Sequence, residues 1–231
     1  VESMGLHADM TAGLSLGEYC AIAVAGGMCD LDAIRTVRSR GIFMEHAAPE
    51  GSGAMSAVLG MDASVIENVL NGREGVSIAN YNCPGQIVIT GEAAAVAEAG
   101  TALKEAGARR VLPLKVSGPF HSPMMRPAGE ELAKVFARVS MNPLRIPYVA
   151  NINAEVITDC GRIEGLLVEQ VSGSVRWQQS VETMIREGVD TFVEIGPGKT
   201  LTGFLRKIDK NVKAYHIGSW EEAVQVCEEL K

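Results

Sequence analysis

DMTAGLSLGEYCAIAVAGG, residues 9–27, holds the turn on which the reading of the fold depends. A short extended segment, Asp9 to Ala12, runs into a glycine-bounded turn. An apolar helix from about Leu16 to Gly26 follows. The turn is Gly13-Leu14-Ser15-Leu16-Gly17, a GxSxG pattern. A strand that bends abruptly into a helix forces its central residue into a strained backbone conformation, and flanking glycines let the neighbouring backbone pass. The Ser15 hydroxyl then stands exposed at the start of the helix as a candidate nucleophile. Backbone N–H groups there, notably that of Leu16, can stabilise a developing oxyanion. Gly-x-Ser-x-Gly also occurs as a plain turn; the strand before it and the apolar helix after it favour the nucleophile.

Working outward, a second helix follows Asp30, with Leu31, Ile34, Val37 and Ile42 giving a helical apolar face. The middle of the chain changes character. GAMSAVLG (53–60) reads as a strand and SVIENVLN (64–71) as an amphipathic helix. VSIANYN (76–82) and QIVITG (86–91) read as strands joined through Cys83-Pro84-Gly85, a turn signal. An Ala-rich helix (93–108) and a strand (109–117) complete a β-α-β-β-α-β order, the split βαβ pattern of ferredoxin-like units. Residues 50–116 are therefore expected to form an inserted small domain. Beyond it come a helix (124–139), a strand (146–153), helices near 163–173 and 177–188, a strand (191–196) and a helix from Leu201. This alternation predicts an α/β layer with a mostly parallel sheet, built from segments 1–49 and 117–231.

Composition narrows the function. Of 231 residues, 47% are hydrophobic and 21% charged, as in an ordinary globular protein. A net charge of −7 argues against nucleic-acid binding, which needs clustered Lys and Arg. The five cysteines are scattered and never in CxxC spacing. That favours reduced thiols in a cytoplasmic setting over a disulfide framework or a metal site. No stretch approaches the roughly 20 apolar residues of a membrane span, so no membrane partner is expected.

A serine nucleophile needs a base. His121, in VSGPFHSPMM, falls where the chain returns from the inserted unit, and a domain junction is where a cleft would lie. His7 lies near the start, His46 on a helix near the domain boundary, and His216 after a strand-like AYHIG. Arg40, in TVRSRGIFMEHA, reads either as a surface cation beside apolar residues or as a guanidinium that grips a substrate carboxylate. Gly198-Lys199-Thr200 evokes a phosphate-binding loop, but Val193 stands where that loop needs glycine, so nucleotide binding is rejected.

Together these segments resemble the malonyl-CoA:acyl-carrier-protein transacylase family. The likeness is carried by GLSLGEY (13–19), VRSRGIFM (37–44), GSGAM (51–55), YNCPGQIVITG (81–91), VSGPFHSPMM (116–125), SVRWQQSVETM (174–184) and EIGPGKTLTG (194–203). It runs almost end to end in motif order. The resemblance implies an α/β-hydrolase-like large domain with a ferredoxin-like insertion, and a Ser–His dyad of Ser15 and His121. Gln170 stands where a glutamine carbonyl orients the histidine. Arg40 would bind the malonyl carboxylate, Met44 would line the acyl pocket, and Phe120 would narrow it against branched acyl groups. Asn80 and Gln86 fall where the small domain faces the coenzyme. The implied partners are malonyl-CoA and acyl carrier protein. No cofactor is implied, since phosphopantetheine comes with the carrier.

The family pattern has a histidine where Leu14 stands. It also opens with a strand and a PGQG-type loop that is not found ahead of Ser15, which implies an N-terminally incomplete chain. An acidic carrier protein needs a local basic patch, for which Arg206, Lys207, Lys210 and Lys213, or Arg109, Arg110 and Lys115, are available. Two alternatives stay open. An α/β-hydrolase esterase would use Asp190 and His216 with Ser15, leaving Arg40 and the insertion without a role. A non-catalytic docking module would hold the carrier protein without chemistry.

Overall fold

The computed structural model describes residues 1–230. The chain begins with β1 (Thr11–Ala12), α1 (Leu16–Val24) and α2 (Asp30–His46). Then come β2 (Gly53–Leu59), α3 (Ala63–Leu70), β3 (Val76–Cys83), β4 (Gln86–Glu92), α4 (Ala93–Glu105) and β5 (Arg110–Pro113). The last part holds α5 (Arg126–Phe136), β6 (Tyr148–Val149), β7 (Val156–Ile157), α6 (Ile163–Ser172) and α7 (Trp177–Arg186). It ends with β8 (Thr191–Ile195), α8 (Thr200–Ile208), β9 (Lys213–Ile217) and α9 (Trp220–Glu229).

The middle segment forms an antiparallel four-stranded sheet in the order β3-β4-β2-β5, the arrangement a split βαβ unit requires. Cys83 pairs with Gln86, so Pro84 and Gly85 make a two-residue hairpin turn, and Gly85 supplies its positive φ of 72°. In α4, Val96, Ala99 and Leu103 recur at helical spacing and pack with Ile66, Ile78 and Ile89 into a separate core. Burying side chains such as Ile66, Ile89 and Leu103 completely contributes about 1.5–3 kcal/mol each.

The larger part has less regular sheet than the alternation predicts. β1 pairs parallel to β6, β6 pairs antiparallel to β7, and β8 and β9 form a separate parallel pair. The strand expected over 146–153 shrinks to Tyr148–Val149. After it the chain turns back, with the Ala154 N–H bonded to the Ala150 carbonyl, and the Asn151 N–H leaves the ladder for a side chain of α1. The core here gathers Tyr19, Ile22, Met28, Met44, Met125, Leu132, Tyr148, Ile163 and Leu167.

α2 departs from the expected face. Ala33, Thr36, Arg40 and Met44 point inward, whereas Leu31, Ile34 and Ile42 are exposed, Ile34 to 67%. The buried stripe is chosen by packing on α5 and by the polar partners that the start of α1 and α6 offer Arg40. Counting apolar residues alone picks the opposite stripe.

The two parts are stitched through β3. Val175, just before α7, donates its N–H to the Ala79 carbonyl at 2.7 Å and accepts from the Tyr81 N–H at 2.9 Å. The small sheet is thereby joined to the larger part along its β3 edge.

Candidate active site

Ser15 caps the N-terminus of α1 with φ 53° and ψ −104°, a region that L-residues occupy only under strain. The two flanking glycines differ. A Cβ on Gly13 would collide with the Gly17 carbonyl oxygen, so the backbone approach there demands glycine. A Cβ on Gly17 would meet open space, so the second glycine is not a packing requirement. The turn is held from outside by Asn151. Its Oδ1 accepts the Ser15 N–H at 2.6 Å and its Nδ2 donates to the Gly13 carbonyl at 2.7 Å. The Leu16 N–H makes no hydrogen bond among the described residues, while the Leu16 side chain is 51% exposed. An unengaged donor thus sits at the positive end of α1 beside Ser15.

His121 lies in the loop after β5, also at positive φ (59°). Its Nε2 is 2.7 Å from Ser15 Oγ, and its Nδ1 is 2.8 Å from the Gln170 backbone carbonyl. A carbonyl only accepts, so Nδ1 carries the proton and Nε2 offers its lone pair to the serine hydroxyl. Burial, and secondarily the Arg40 charge, pull the His121 pKa down to about 4. The imidazole is therefore neutral near pH 7, as a base must be.

Arg40, on α2, is buried. Its Nη2 donates to Ser15 Oγ at 2.9 Å and to Gln170 Oε1 at 3.1 Å. Its guanidinium stands over the Tyr19 ring at 5.7 Å, and its Nε is buried with no hydrogen-bond partner among the described residues. Gln170, on α6, is the hub. Besides accepting from Arg40, its Nε2 donates to the Ser15 carbonyl at 2.8 Å and to Glu18 Oε2 at 2.7 Å.

Met44 is buried one turn beyond Arg40 on the same face of α2. Phe120, half-buried next to His121, packs against both the large core and the Met55, Ala79 and Val88 cluster of the small sheet. Asn80 sits in β3 where that strand meets Val175. Gln86 accepts from Lys207 of α8 at 3.4 Å, tying the start of β4 to the basic run. No hydrogen bond joins Asn80 or Gln86 to Ser15, His121 or Arg40.

The alternative triad is not assembled. His216 Nε2 donates to the Gly196 carbonyl and its other face meets Glu222, while Asp190 accepts from Thr191. Among the described residues no group of three or more His, Cys, Asp or Glu could hold a metal ion.

Glu18 and Asn151 were not singled out in the sequence. Glu18 is the one charged residue within the apolar helix LGEYCAIAV, a signal that could have exposed it. Asn151 offered none, because its role depends on a contact 136 residues away.

Nucleophilic acyl chemistry on an α/β scaffold asks for such a strained serine with a neutral base in reach. Comparison with known proteins agrees on the class: the chain belongs to the acyl transferase domain family, whose pattern matches residues 1–226. The similar proteins carry a narrower name. A malonyl CoA-acyl carrier protein transacylase of Bacillus subtilis is 45% identical, over 98% of this chain and 73% of that protein. The Escherichia coli (strain K12) transacylase is 46% identical, over 86% of this chain and 65% of its own length. Among solved structures, the Clostridium perfringens transacylase superposes with a TM-score of 0.95 at 39% identity, covering 99% of this chain and 73% of that one. A malonyl-transacylase solved in complex with a type II PKS acyl-carrier protein gives 0.93 at 38% identity, covering 99% of this chain and 75% of that one. The chain thus spans roughly two thirds to three quarters of the length of these relatives.

Proposed function

We propose that this chain transfers a malonyl group from malonyl-CoA to the phosphopantetheine thiol of an acyl carrier protein, through a malonyl ester on Ser15. The observation that carries the reading is the contact of one hydroxyl, Ser15 Oγ, with both a neutral imidazole and a buried guanidinium.

In the first half-reaction Ser15 Oγ attacks the thioester carbonyl as its proton passes to His121 Nε2. The Leu16 N–H faces the carbonyl oxygen as it becomes an oxyanion. Collapse breaks the carbon–sulfur bond, and coenzyme A leaves with the proton from His121. In the second half the carrier thiol gives its proton to His121, sulfur attacks the malonyl ester, and Ser15 recovers the proton. Gln170 fixes the imidazole tautomer through its main-chain carbonyl and adds no charge.

Arg40 supplies selectivity. Its Nε is an unused buried donor beside the nucleophile, and a free carboxylate on the acyl group answers it. An acyl group without a carboxylate leaves that Nε donor unsatisfied, at a cost of about 1–3 kcal/mol. Met44 and Phe120 bound the acyl pocket, with Phe120 set against a methyl branch. Asn80 and Gln86 lie toward the coenzyme, and the Lys207 run offers positive charge to the acidic carrier. Residues 50–116 act as an inserted unit between segments 1–49 and 117–231. We assign the activity to the cytoplasm because all five cysteines are free thiols, the state a reducing compartment maintains. No helix among the described residues is long and apolar enough to cross a membrane.

Intact mass after incubation with malonyl-CoA tests the reading, with Ser15→Ala and acetyl-CoA as controls. A malonyl adduct on the wild type alone, absent with acetyl-CoA, supports it. An adduct that persists in Ser15→Ala overturns the nucleophile assignment, and no adduct at all overturns the activity for this chain.

A further inference from the structure

Glu18 is almost wholly buried, at 1% exposure, one helical turn after Ser15, and the transfer just described makes no use of it. Its surroundings fix its hydrogen-bonding role. The Arg40 guanidinium can only donate and the Ser15 carbonyl can only accept. Gln170 must therefore turn Oε1 to Arg40 and Nε2 to Ser15, which leaves Nε2 also facing Glu18 Oε2 as a donor. The other carboxyl oxygen, Oε1, accepts the Asn151 N–H at 3.2 Å. Both oxygens of Glu18 thus face N–H donors, an arrangement that the ionised carboxyl satisfies in full.

The two groups that Glu18 holds are those that hold the nucleophile. Asn151 grips the Ser15 N–H and the Gly13 carbonyl, and Gln170 grips the Ser15 carbonyl. The same Gln170 orients His121 through its main chain and receives Arg40 through its side chain. We propose that Glu18 is the positioning residue of the site: its carboxylate locks Asn151 and Gln170 against each other and so holds the strained Ser15, its histidine and Arg40 in one register. This rests on the acyl-transfer reading above, in that Ser15 is taken as the nucleophile.

The charge balance gives the clamp a pH signature. The groups facing Glu18 are Gln170 of α6, the Asn151 main chain, Arg40 of α2, Tyr148 of β6 and its neighbour Tyr19. Arg40 is the one fixed charge among them. Burial pushes the Glu18 carboxyl up to about 8, against the hydrogen bonds from Gln170 and Asn151 and the charge of Arg40. As pH falls below that point a proton arrives on an oxygen that faces an N–H donor, and one arm of the clamp is lost. Ser15 reactivity should therefore rise with pH through the region of 8, separately from the His121 limb near 4.

The test reads Ser15 with two probes on either side of pH 8: malonyl-CoA, and a small fluorophosphonate that needs no carboxylate recognition. Glu18→Gln, Glu18→Asp and Ser15→Ala are compared with wild type, with thermal melts alongside. We expect Glu18→Gln to slow Ser15 labelling roughly 100-fold, the penalty of misplacing a reacting group by about 1 Å, and to flatten the limb near 8. Glu18→Asp should regain the limb at a reduced rate. Labelling of Glu18→Gln at the wild-type rate, or a limb near 8 that survives in it, overturns the proposal. Should Glu18→Gln lose its cooperative melt, Glu18→Asp decides: a folded Asp variant without the limb overturns the proposal, and one with it supports the proposal. Wild type that takes the fluorophosphonate on Ser15 but never malonyl sinks the substrate reading alone, and the Glu18 comparison still gives its own answer.

Discussion

Arg40 Nη2 donates a hydrogen bond to Ser15 Oγ across 2.9 Å, so the buried cation of the site touches the proposed nucleophile itself. A guanidinium placed only to recognise a remote carboxylate would not need that contact. Here it can favour the serine oxygen as negative charge gathers on it and still offer Nε to the substrate. Removing it should therefore harm every acyl donor, and malonyl most. A charge-assisted hydrogen bond is worth about 1.5–3 kcal/mol. Arg40→Ala is thus expected to slow malonylation of Ser15 by roughly 10- to 100-fold beyond any loss with acetyl-CoA. Competition between the two donors, read as adduct ratio by mass, checks this. An unchanged malonyl-to-acetyl ratio would show that Arg40 serves the serine alone.

His121 should leave its mark on stability as well as on activity. Its pKa is lowered from 6.5 to about 4, so the unfolded chain binds the proton more readily than the folded one. Stability from this group is fully present above the unfolded value. It is lost as pH falls through the folded value, between 6.5 and about 4. The loss amounts to roughly 3 kcal/mol at most. His121→Gln should abolish Ser15 acylation, and urea midpoints measured across this window should fall less steeply with acid than in wild type. Parallel slopes would show that His121 is not the group that titrates.

What could be read from sequence and what could not divide along physical lines. The small sheet was legible because each element carries its own local signal. β3 and β4 meet at a Pro84-Gly85 turn, and α4 repeats Val96, Ala99 and Leu103 at helical spacing. The strained turn at Ser15, ahead of α1, was legible for the same reason, since it is written in adjacent residues. The stripe of Leu31, Ile34 and Ile42 misled because it counts apolar side chains. The buried face of α2 is decided by partners for Arg40 on α1 and α6. The strand expected at 146–153 was cut short for a related reason, the main chain at Asn151 being drawn to Glu18. Clamps of this kind pair residues far apart in sequence, and no local pattern announces them.

The bond pair at Val175 is expected to set how firmly the small sheet is joined to the larger part. Val175→Pro removes the N–H that reaches the Ala79 carbonyl at 2.7 Å and leaves an acceptor buried without its donor. Loss of such a bond costs about 1–3 kcal/mol. The small sheet has a core of its own, so the damage should stay at the seam. Hydrogen exchange should quicken at Tyr81, whose N–H bonds to Val175, while the Ile87–Ile89 amides of central strand β4 keep their protection. Equal loss across β3 and β4 would mean that the sheet depends on the seam for its folding.

The two glycines of the serine turn give the sharpest contrast, because a sequence pattern treats them alike and the structure does not. A methyl group on Gly13 would drive into the Gly17 carbonyl oxygen. Both partners are backbone, so neither can swing aside without moving Ser15. Gly13→Ala is therefore expected to lose about 3 kcal/mol or more, at the upper end of overpacking costs, and to lose Ser15 labelling with it. Gly17 lies inside α1, its Cβ direction is open, and its φ is not in the left-handed region. There alanine only improves helix propensity, so Gly17→Ala should gain about 0.5–1 kcal/mol. Paired urea denaturations would resolve a gap of that size and sign. If Gly17→Ala also destabilised the fold, the helix at Ser15 would have to start differently from the geometry described, and the placement of the Leu16 N–H beside Ser15 would fall with it.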